Sequence, residues 1–208
     1  MSKQTYFLQL ADYAHELFNS LPIELEPKPL SYALNLLKPQ VDGQKEEQVA
    51  VLRELRGTQE QLAVPGNANK WQGLNSIGML MDRFTILLIR EWSLQHKLHK
   101  NLDKARQIRE EQTLDIVEAM AHSAPGSASL NSKITNIKGD ASAASWEEAF
   151  YGLLTINLIL WESQEVLYIK DISQLPCEEL RAYIDWFSKG NIVRNEYIQL
   201  VEQLFWTI

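Results

Sequence analysis

Four charged side chains interrupt one of the most apolar helical stretches of the chain, and their chemistry suits the binding of an anion. Within MLMDRFTILLIREW, positions 79 to 92, they are Asp82, Arg83, Arg90 and Glu91. Arginine donates two parallel hydrogen bonds from a planar guanidinium group, a geometry that suits phosphate or carboxylate. The segment therefore contains a candidate site for binding or hydrolysing a small anionic ligand, with later contributions from Arg194 and Asn195.

Helical geometry divides these four charges. At about 100° per residue, Asp82, Arg83 and Arg90 share one polar stripe, whereas Glu91 is surrounded by apolar positions. A carboxylate in apolar surroundings must find a partner, or its pKa is raised by burial. The alternative to a ligand site is a structural network of ion pairs at the edge of the bundle, because buried charges are usually paired, or a Glu91 side chain that reaches solvent near the end of the helix.

A second set of residues has the chemistry of metal ligands. His96 and His99 are three positions apart, and Glu162 and Glu165 have the same spacing on another apolar segment. Carboxylates and histidines from facing helices hold the metals of di-iron bundles. The Glu-x-x-His signature of those bundles is missing, however, and QHKLHK is typical of a hydrated helix end. We therefore predict no metal and no cofactor.

Arg90 and His96 also fit R-x(4–6)-H, the loose pattern of the all-helical HEPN ribonucleases. On an unbroken helix the two side chains point about 120° apart, so the pattern predicts such a site only if the helix bulges. The formal net charge of −7 and the dispersed lysines and arginines argue against a protein that binds nucleic acid backbones.

Composition indicates a cytoplasmic globular protein. The 208 residues are 45% hydrophobic and 23% charged, which is sufficient for one good-sized core. Cys177 is the single cysteine, as expected in a reducing compartment. The most apolar segment, at 150–161, is shorter than the about 20 residues that span a bilayer. The N-terminal segment has acidic residues and helical periodicity in place of the apolar stretch of a signal peptide.

Apolar residues recur at helical spacing along nearly the whole chain, and no alternating strands are joined by a turn signal. The predicted class is all-α, in a single domain over 1–208. N-terminal helices lie in 1–65, and a helical bundle in 70–208. Its two most apolar helices, near 74–99 and 146–170, are predicted to pack against each other at the centre.

An internal repeat relates the two apolar helices. TILLIREW begins at Thr85 and TINLILW at Thr155, and each is followed by an amphipathic segment, at 105–120 and 189–204. The pattern predicts two pseudo-repeated helical hairpins, with the N-terminal helices packed alongside. The small, polar residues 122–145 would form the long loop between the hairpins.

Part of the chain resembles an all-helical bacterial family of unknown function. GMLMDRFTILLIREWSLQH is similar to a helix of that family that reads approximately L-x-x-x-D-R-L-S-I-L-x-L-K. LWESQE and NIVRNEYIQLVEQL are similar to its later L-W-x-x-E and N-x-x-R-N segments. The resemblance covers roughly the C-terminal two thirds of the chain and implies a fold without an activity. The polar positions that it implies are Asp82, Arg83, Asn191, Arg194 and Asn195.

Two functions of different classes are consistent with these features. The first is a non-enzymatic interaction module that binds a protein partner or a second copy of itself as a homodimer. Six tryptophans and the apolar C-terminus LVEQLFWTI favour it, since exposed aromatic residues are typical interface anchors. The same C-terminus can instead fold back on the chain's own core. The second function is the anionic ligand or hydrolytic site at Asp82, Arg83, Arg90 and Glu91.

Overall fold

A computed structural model describes residues 1–22, 25–41, 45–62, 76–98, 102–121, 123 and 139–208, without the side chains of 57–62 and 102. The regular elements in these ranges are helices, and the predicted all-α class is confirmed. They are α1 (Lys3–Asn19), α2 (Leu30–Leu37), α3 (Glu46–Leu62), α4 (Ile77–His96), α5 (Leu102–Met120), α6 (Trp146–Ile169), a 3-10 turn (Ile172–Gln174) and α7 (Cys177–Thr207).

Local sequence signals account for the start of α6. The pattern Ser145-x-x-Glu148 predicts a capping box there. Ser145 Oγ accepts a hydrogen bond from the Glu148 N–H at 3.2 Å, and the Glu148 carboxylate accepts one from the Ala144 N–H at 2.7 Å. The box therefore forms, although its return bond reaches one residue further back than the usual pattern.

The long helices approach closely where glycine replaces a side chain. A Cβ added at Gly152 of α6 would lie 2.1 Å from the ring of Tyr197, and one at Gly78 of α4 would lie 2.2 Å from the Ile198 carbonyl oxygen. Both neighbours belong to α7: the Tyr197 ring fills the space that a side chain at position 152 would occupy, and the α7 backbone itself approaches α4 at Gly78. α4 also packs against α6, as predicted for the two most apolar helices.

The remaining helices surround this centre: α5 and α1 contact α4, α2 contacts α6 and α7, and α3 contacts α1 and α7. Leu52 and Leu55 of α3 are fully buried, as their spacing predicts. A chain of aromatic contacts joins α1, α4 and α6. Phe7 meets Phe84 edge to face, and Phe84 stacks on Phe150.

The apolar C-terminus packs on the chain's own core. Phe205 is fully buried. The Arg56 guanidinium of α3 donates hydrogen bonds to the carbonyl oxygens of Trp206, at 3.3 Å, and of Ile208. The fold-back alternative is therefore the arrangement that the structure adopts.

Most of the predicted loop 122–145 lies outside the described residues. The part from Gly139 onward is irregular, and the Gly139 and Ala141 N–H groups both donate to the Glu196 carboxylate of α7, at 2.6 and 3.2 Å. No helix in the described part of the chain is both long enough and apolar enough to cross a membrane.

Candidate functional site

Asp82 forms a buried ion pair with Arg194 of α7. Arg194 Nε lies 2.7 Å from Asp82 Oδ1, and Nη2 lies 2.5 Å from Oδ2, so the contact is bidentate. The side chain of Asp82 is 6% exposed, whereas that of Arg194 is 30% exposed. The pair therefore joins α4 to α7 with the carboxylate inside the protein and part of the guanidinium group at the surface.

Asn157 of α6 extends this pair into a network across three helices. Its amide nitrogen donates to Asp82 Oδ1 at 2.9 Å and to the Thr85 hydroxyl oxygen at 2.8 Å. The Thr85 hydroxyl in turn donates to the carbonyl oxygen of Asp82 at 2.8 Å. Both carboxylate oxygens of Asp82 thus have partners, which is the condition under which a buried polar network stabilises a fold.

Glu91 faces a different direction and pairs with α1 and α5. Its Oε2 atom lies 2.8 Å from Arg109 Nε and 3.0 Å from His15 Nε2. Both nitrogens therefore lie within the distance of a hydrogen bond or ion pair to this carboxylate oxygen. Burial raises the pKa of Glu91, but the adjacent His15 and Arg109 outweigh burial and leave the pKa below its ordinary value. The predicted need of Glu91 for a partner is confirmed.

The other predicted residues do not join these networks. Arg83 and Arg90 are exposed, and Asn195 is half-buried. Asp82 and Glu91 are nine positions apart, so about 13 Å separates them along the helix axis. The cavity beside Glu91, Arg90 and Arg109 holds about 20 Å³, room for roughly one water molecule. Of the six residues predicted for a site, Asp82 and Arg194 meet, and the other four lie apart from that pair.

The carboxylates predicted as metal ligands bind a lysine instead. The Lys97 ammonium contacts Glu162, and lies 2.7 Å from Glu165 Oε2. Glu165 also accepts hydrogen bonds from the Trp161 indole at 2.8 Å and from the Ser93 hydroxyl at 3.2 Å. Burial raises the pKa of Glu162, and Lys97 offsets only part of this effect. The ammonium group thus occupies the position between the two carboxylates.

The histidines of that prediction are placed separately. The His96 ring lies against Trp92, with 6.0 Å between centroids, and His99 lies outside the described residues. Within the described ranges, no group of three or more His, Cys, Asp or Glu side chains could hold a metal ion. α4 runs without interruption to His96, so the bulge that the ribonuclease pattern requires is absent from this described helix.

A cavity of about 380 Å³ lies between α1, the start of α3 and the start of α6. No feature of the sequence predicted it. Its lining combines aromatic rings, one carboxylate and several amides: Tyr6, Tyr13, Tyr151, Glu147, Gln9, Gln40, Gln48, Lys45, Leu10 and Val41.

Glu147 supplies the carboxylate of this cavity from the first turn of α6, and its side chain is buried. The Gln48 amide donates to its Oε1 atom over a long 3.5 Å. Burial raises the pKa of Glu147, and Gln48, Lys45 and Tyr151 counter the effect only in part. Among the described residues Glu147 has no ion-pair partner, in contrast to Asp82, Glu91 and Glu162.

Tyr6 adds a hydroxyl that is not satisfied. Its side chain is 2% exposed, and the hydroxyl oxygen has no hydrogen-bond partner among the described residues. Burial and the nearby Glu147 charge both raise the pKa of Tyr6, so the phenol stays protonated. Beside it, the Tyr13 and Tyr151 rings meet edge to face, with centroids 5.4 Å apart. The cavity therefore offers a buried carboxylate and a buried hydroxyl to a group that enters it.

Sequence reasoning missed this cavity because its walls come from three distant segments. One weak signal was present. Glu147 and Tyr151 are four positions apart, so they share a face of α6, and Glu147 is a charge next to the apolar run that follows. Nothing in the sequence linked that face to Tyr6, which is 141 positions from Glu147.

Comparison with known proteins assigns no family to the chain, since no protein-family model, curated protein or solved structure matches it. The resemblance to the all-helical bacterial family stays a prediction.

Proposed function

We propose that this protein is a non-enzymatic cytoplasmic interaction module, and that it binds a second copy of itself through the tip of the α6–α7 hairpin. The tip surface consists of the exposed apolar side chains Tyr168, Ile169, Ile172, Ile184 and Phe187. They lie at the end of α6, in the connecting turn and at the beginning of α7. Tyr168 and Ile169 are each 79% exposed, and clusters of large apolar side chains in water are typical of interaction surfaces.

The charges around the tip surface favour a second copy as the occupant. Lys170 and Asp171 follow Ile169 directly, and Asp185 pairs with Lys189 at 2.6 Å on α7. A twofold interface brings the same patch together from both subunits, so it must be self-complementary. Exposed apolar side chains with residues of both charge signs close by in the sequence are compatible with this requirement.

The C-terminus is a weaker candidate for the same interface. Phe205 is already buried by the chain itself, and the terminal carbonyls accept hydrogen bonds from Arg56. The residues of the tip surface lack such coverage. This difference supports the hairpin tip over the C-terminus that the sequence suggested.

Binding is also favoured over hydrolysis. A hydrolytic site needs a general base or nucleophile beside space for a substrate. Asp82 is engaged by Arg194 and Asn157, and Glu91 by Arg109 beside a cavity of about 20 Å³. The anionic or hydrolytic alternative therefore has little support from this part of the molecule.

We also infer that the α4–α5 and α6–α7 hairpins are pseudo-repeats. Thr85 and Thr155, 70 positions apart, are both buried, and each hydroxyl donates to a carbonyl oxygen of the preceding turn. Ser93 and Ser163, again 70 positions apart, are both buried. Superposition of the two hairpins in a crystal structure would test this relation; it fails if Thr85 and Thr155 do not coincide.

Sedimentation velocity tests the proposed interface. The double variant Ile169→Glu/Ile184→Glu places carboxylates in the tip surface, and we expect it to sediment as a monomer at concentrations where the unaltered protein is a dimer. Leu36→Glu is the matched control, because Leu36 is an exposed aliphatic residue on α2. The proposal fails if the unaltered protein is monomeric at every concentration, or if the double variant and the control dimerise equally.

A further inference from the structure

The cavity between α1, α3 and α6 contains two polar groups that the fold leaves under-satisfied. The Tyr6 hydroxyl has no hydrogen-bond partner in the described part of the chain. Glu147 receives a long hydrogen bond from the Gln48 amide and another from the Tyr151 hydroxyl, but it forms no ion pair among the described residues. An unsatisfied buried polar group destabilises a fold, so such groups are uncommon in structural positions. Here both groups line the same cavity, and they come from different helices.

The charges of the lining select the kind of ligand. Glu147 and Lys45 are the charged side chains among the lining residues, and only Glu147 is buried. Lys45 is exposed and forms no ion pair with Glu147 in the described structure. An anion would be repelled by the inward-facing carboxylate, and a neutral ligand would leave that carboxylate with only the longer-range attraction of Lys45. A cation supplies the missing partner.

We propose that this cavity binds a small organic cation, a protonated primary amine whose N–H groups donate to the Glu147 carboxylate and the Tyr6 hydroxyl oxygen. The hydrocarbon part of the amine lies against Leu10, Val41 and the tyrosine rings. The volume of about 380 Å³ falls within the usual range of ligand cavities. Aromatic side chains suit such a ligand because they provide apolar surface and attract cations.

The site has a defined pH dependence. The amine binds the ionised form of Glu147, and burial holds the pKa of this carboxyl above its ordinary value. The groups that face Glu147 are Lys45, which is cationic, and Tyr6, Tyr13 and Tyr151, which are phenols. Affinity for the amine is therefore lost as the pH falls through the pKa of Glu147, and is regained above it.

Isothermal titration calorimetry at neutral pH tests the proposal with phenethylammonium chloride as the cation. 2-Phenylethanol is the neutral comparison, because it has the same ring and chain. We expect the ammonium ion to bind at least about 10-fold more tightly, the effect of a hydrogen bond to a charged group. Glu147→Gln should weaken binding of the ammonium ion by at least about 10-fold and leave the alcohol nearly unaffected. Tyr6→Phe keeps the aromatic ring but removes the hydroxyl, and it should weaken binding of the ammonium ion by about 3-fold or more.

Glu46→Gln is the matched control for loss of one negative charge. Glu46 follows Lys45 in sequence, is exposed and is not part of the cavity lining. The proposal is overturned if the alcohol binds as tightly as the ammonium ion, if Glu147→Gln and Glu46→Gln have equal effects, or if neither probe binds. Tighter binding of inorganic phosphate than of the ammonium ion would also overturn it. Circular dichroism establishes whether each variant is folded. If Glu147→Gln does not fold, the proposal is tested by comparing the two probes on the unaltered protein and by the effect of Tyr6→Phe.

Discussion

Asp82 and Glu147 are both carboxylates on long helices, and both are buried, at 4% and 8% exposure, but their surroundings differ. Asp82 receives a bidentate contact from Arg194 and an amide hydrogen bond from Asn157. Glu147 forms no ion pair among the described residues, since Lys45 acts on it only at longer range, and it lies beside the unsatisfied Tyr6 hydroxyl.

The comparison separates a charge that supports the fold from one that is available to a ligand. A buried carboxylate whose hydrogen bonds are complete can gain little from a new partner, whereas an incompletely paired one retains most of its desolvation cost. The charged residues of α4 that were conspicuous in the sequence include the first kind. The second kind is Glu147, which the sequence did not distinguish.

The largest effect is expected where the complete network is broken. Arg194→Ala leaves Asp82 buried without its cation, and we expect the free energy of unfolding to fall by about 3 kcal/mol. Urea denaturation followed by circular dichroism measures the change. Arg181→Ala, an exposed arginine of the same helix, is the control.

A double variant tests whether the carboxylate causes that loss. Asp82→Asn removes the negative charge that Arg194→Ala leaves without a partner. The double variant should therefore lose less free energy of unfolding than the sum of the losses in the two single variants. If the losses in free energy of unfolding are additive, Asp82 and Arg194 do not act as a pair. Pairing would then not be what distinguishes Asp82 from Glu147.

Glu91 extends the comparison to a third buried carboxylate. Glu91→Leu removes one member of an ion pair and leaves Arg109 buried, 3.5 Å from Asp12. We expect the free energy of unfolding to fall by about 2 kcal/mol at neutral pH, which is less than for a buried charge that has no remaining partner. Because the pKa of Glu91 is lowered by folding, its contribution is present at neutral pH and lost as the pH falls through the folded pKa. Urea unfolding of both proteins at several pH values measures this; a cost that is constant with pH would contradict it.

Glu147→Gln should have the opposite sign. The pKa of Glu147 is raised by folding, so the wild-type carboxyl favours the fold most in acid and this advantage is lost as the pH rises towards the folded pKa. The variant should therefore be more stable than the wild type at neutral pH, by about 1 kcal/mol, and should lose this advantage as the pH falls through the folded pKa of Glu147. Thermal unfolding across this range measures the difference. Destabilisation at neutral pH would show that Glu147 is a paired structural charge like Asp82.

The smallest effect belongs to the exposed charges of α4. Arg83 and Arg90 lie at the surface, so Arg83→Ala and Arg90→Ala should each change the free energy of unfolding by no more than about 0.5 kcal/mol. Urea denaturation alongside Arg194→Ala makes the comparison direct. A loss as large as that of Arg194→Ala in either variant would mean that these arginines belong to the buried network.

The sequence by itself determined the helical class and several elements. Helices arise from local periodicity and from hydrogen bonds between near neighbours, which the sequence contains directly. The helices predicted within 1–65 include one found at Leu30–Leu37, and the capping box at Ser145 forms. The prediction that Glu91 needs a partner also follows from its apolar neighbours on the helix.

Only the tertiary structure decided which charges meet. Asp82, Arg83 and Arg90 occupy one polar stripe, but the boundary between core and solvent runs along it, so Asp82 is buried while both arginines are exposed. The partner of Asp82 is 112 positions away, and Tyr6 and Glu147, which line one cavity, are 141 positions apart. Helical periodicity gives the direction in which a side chain points from the axis of its own helix. It does not specify which helix packs there, because that depends on how all the apolar faces are buried together.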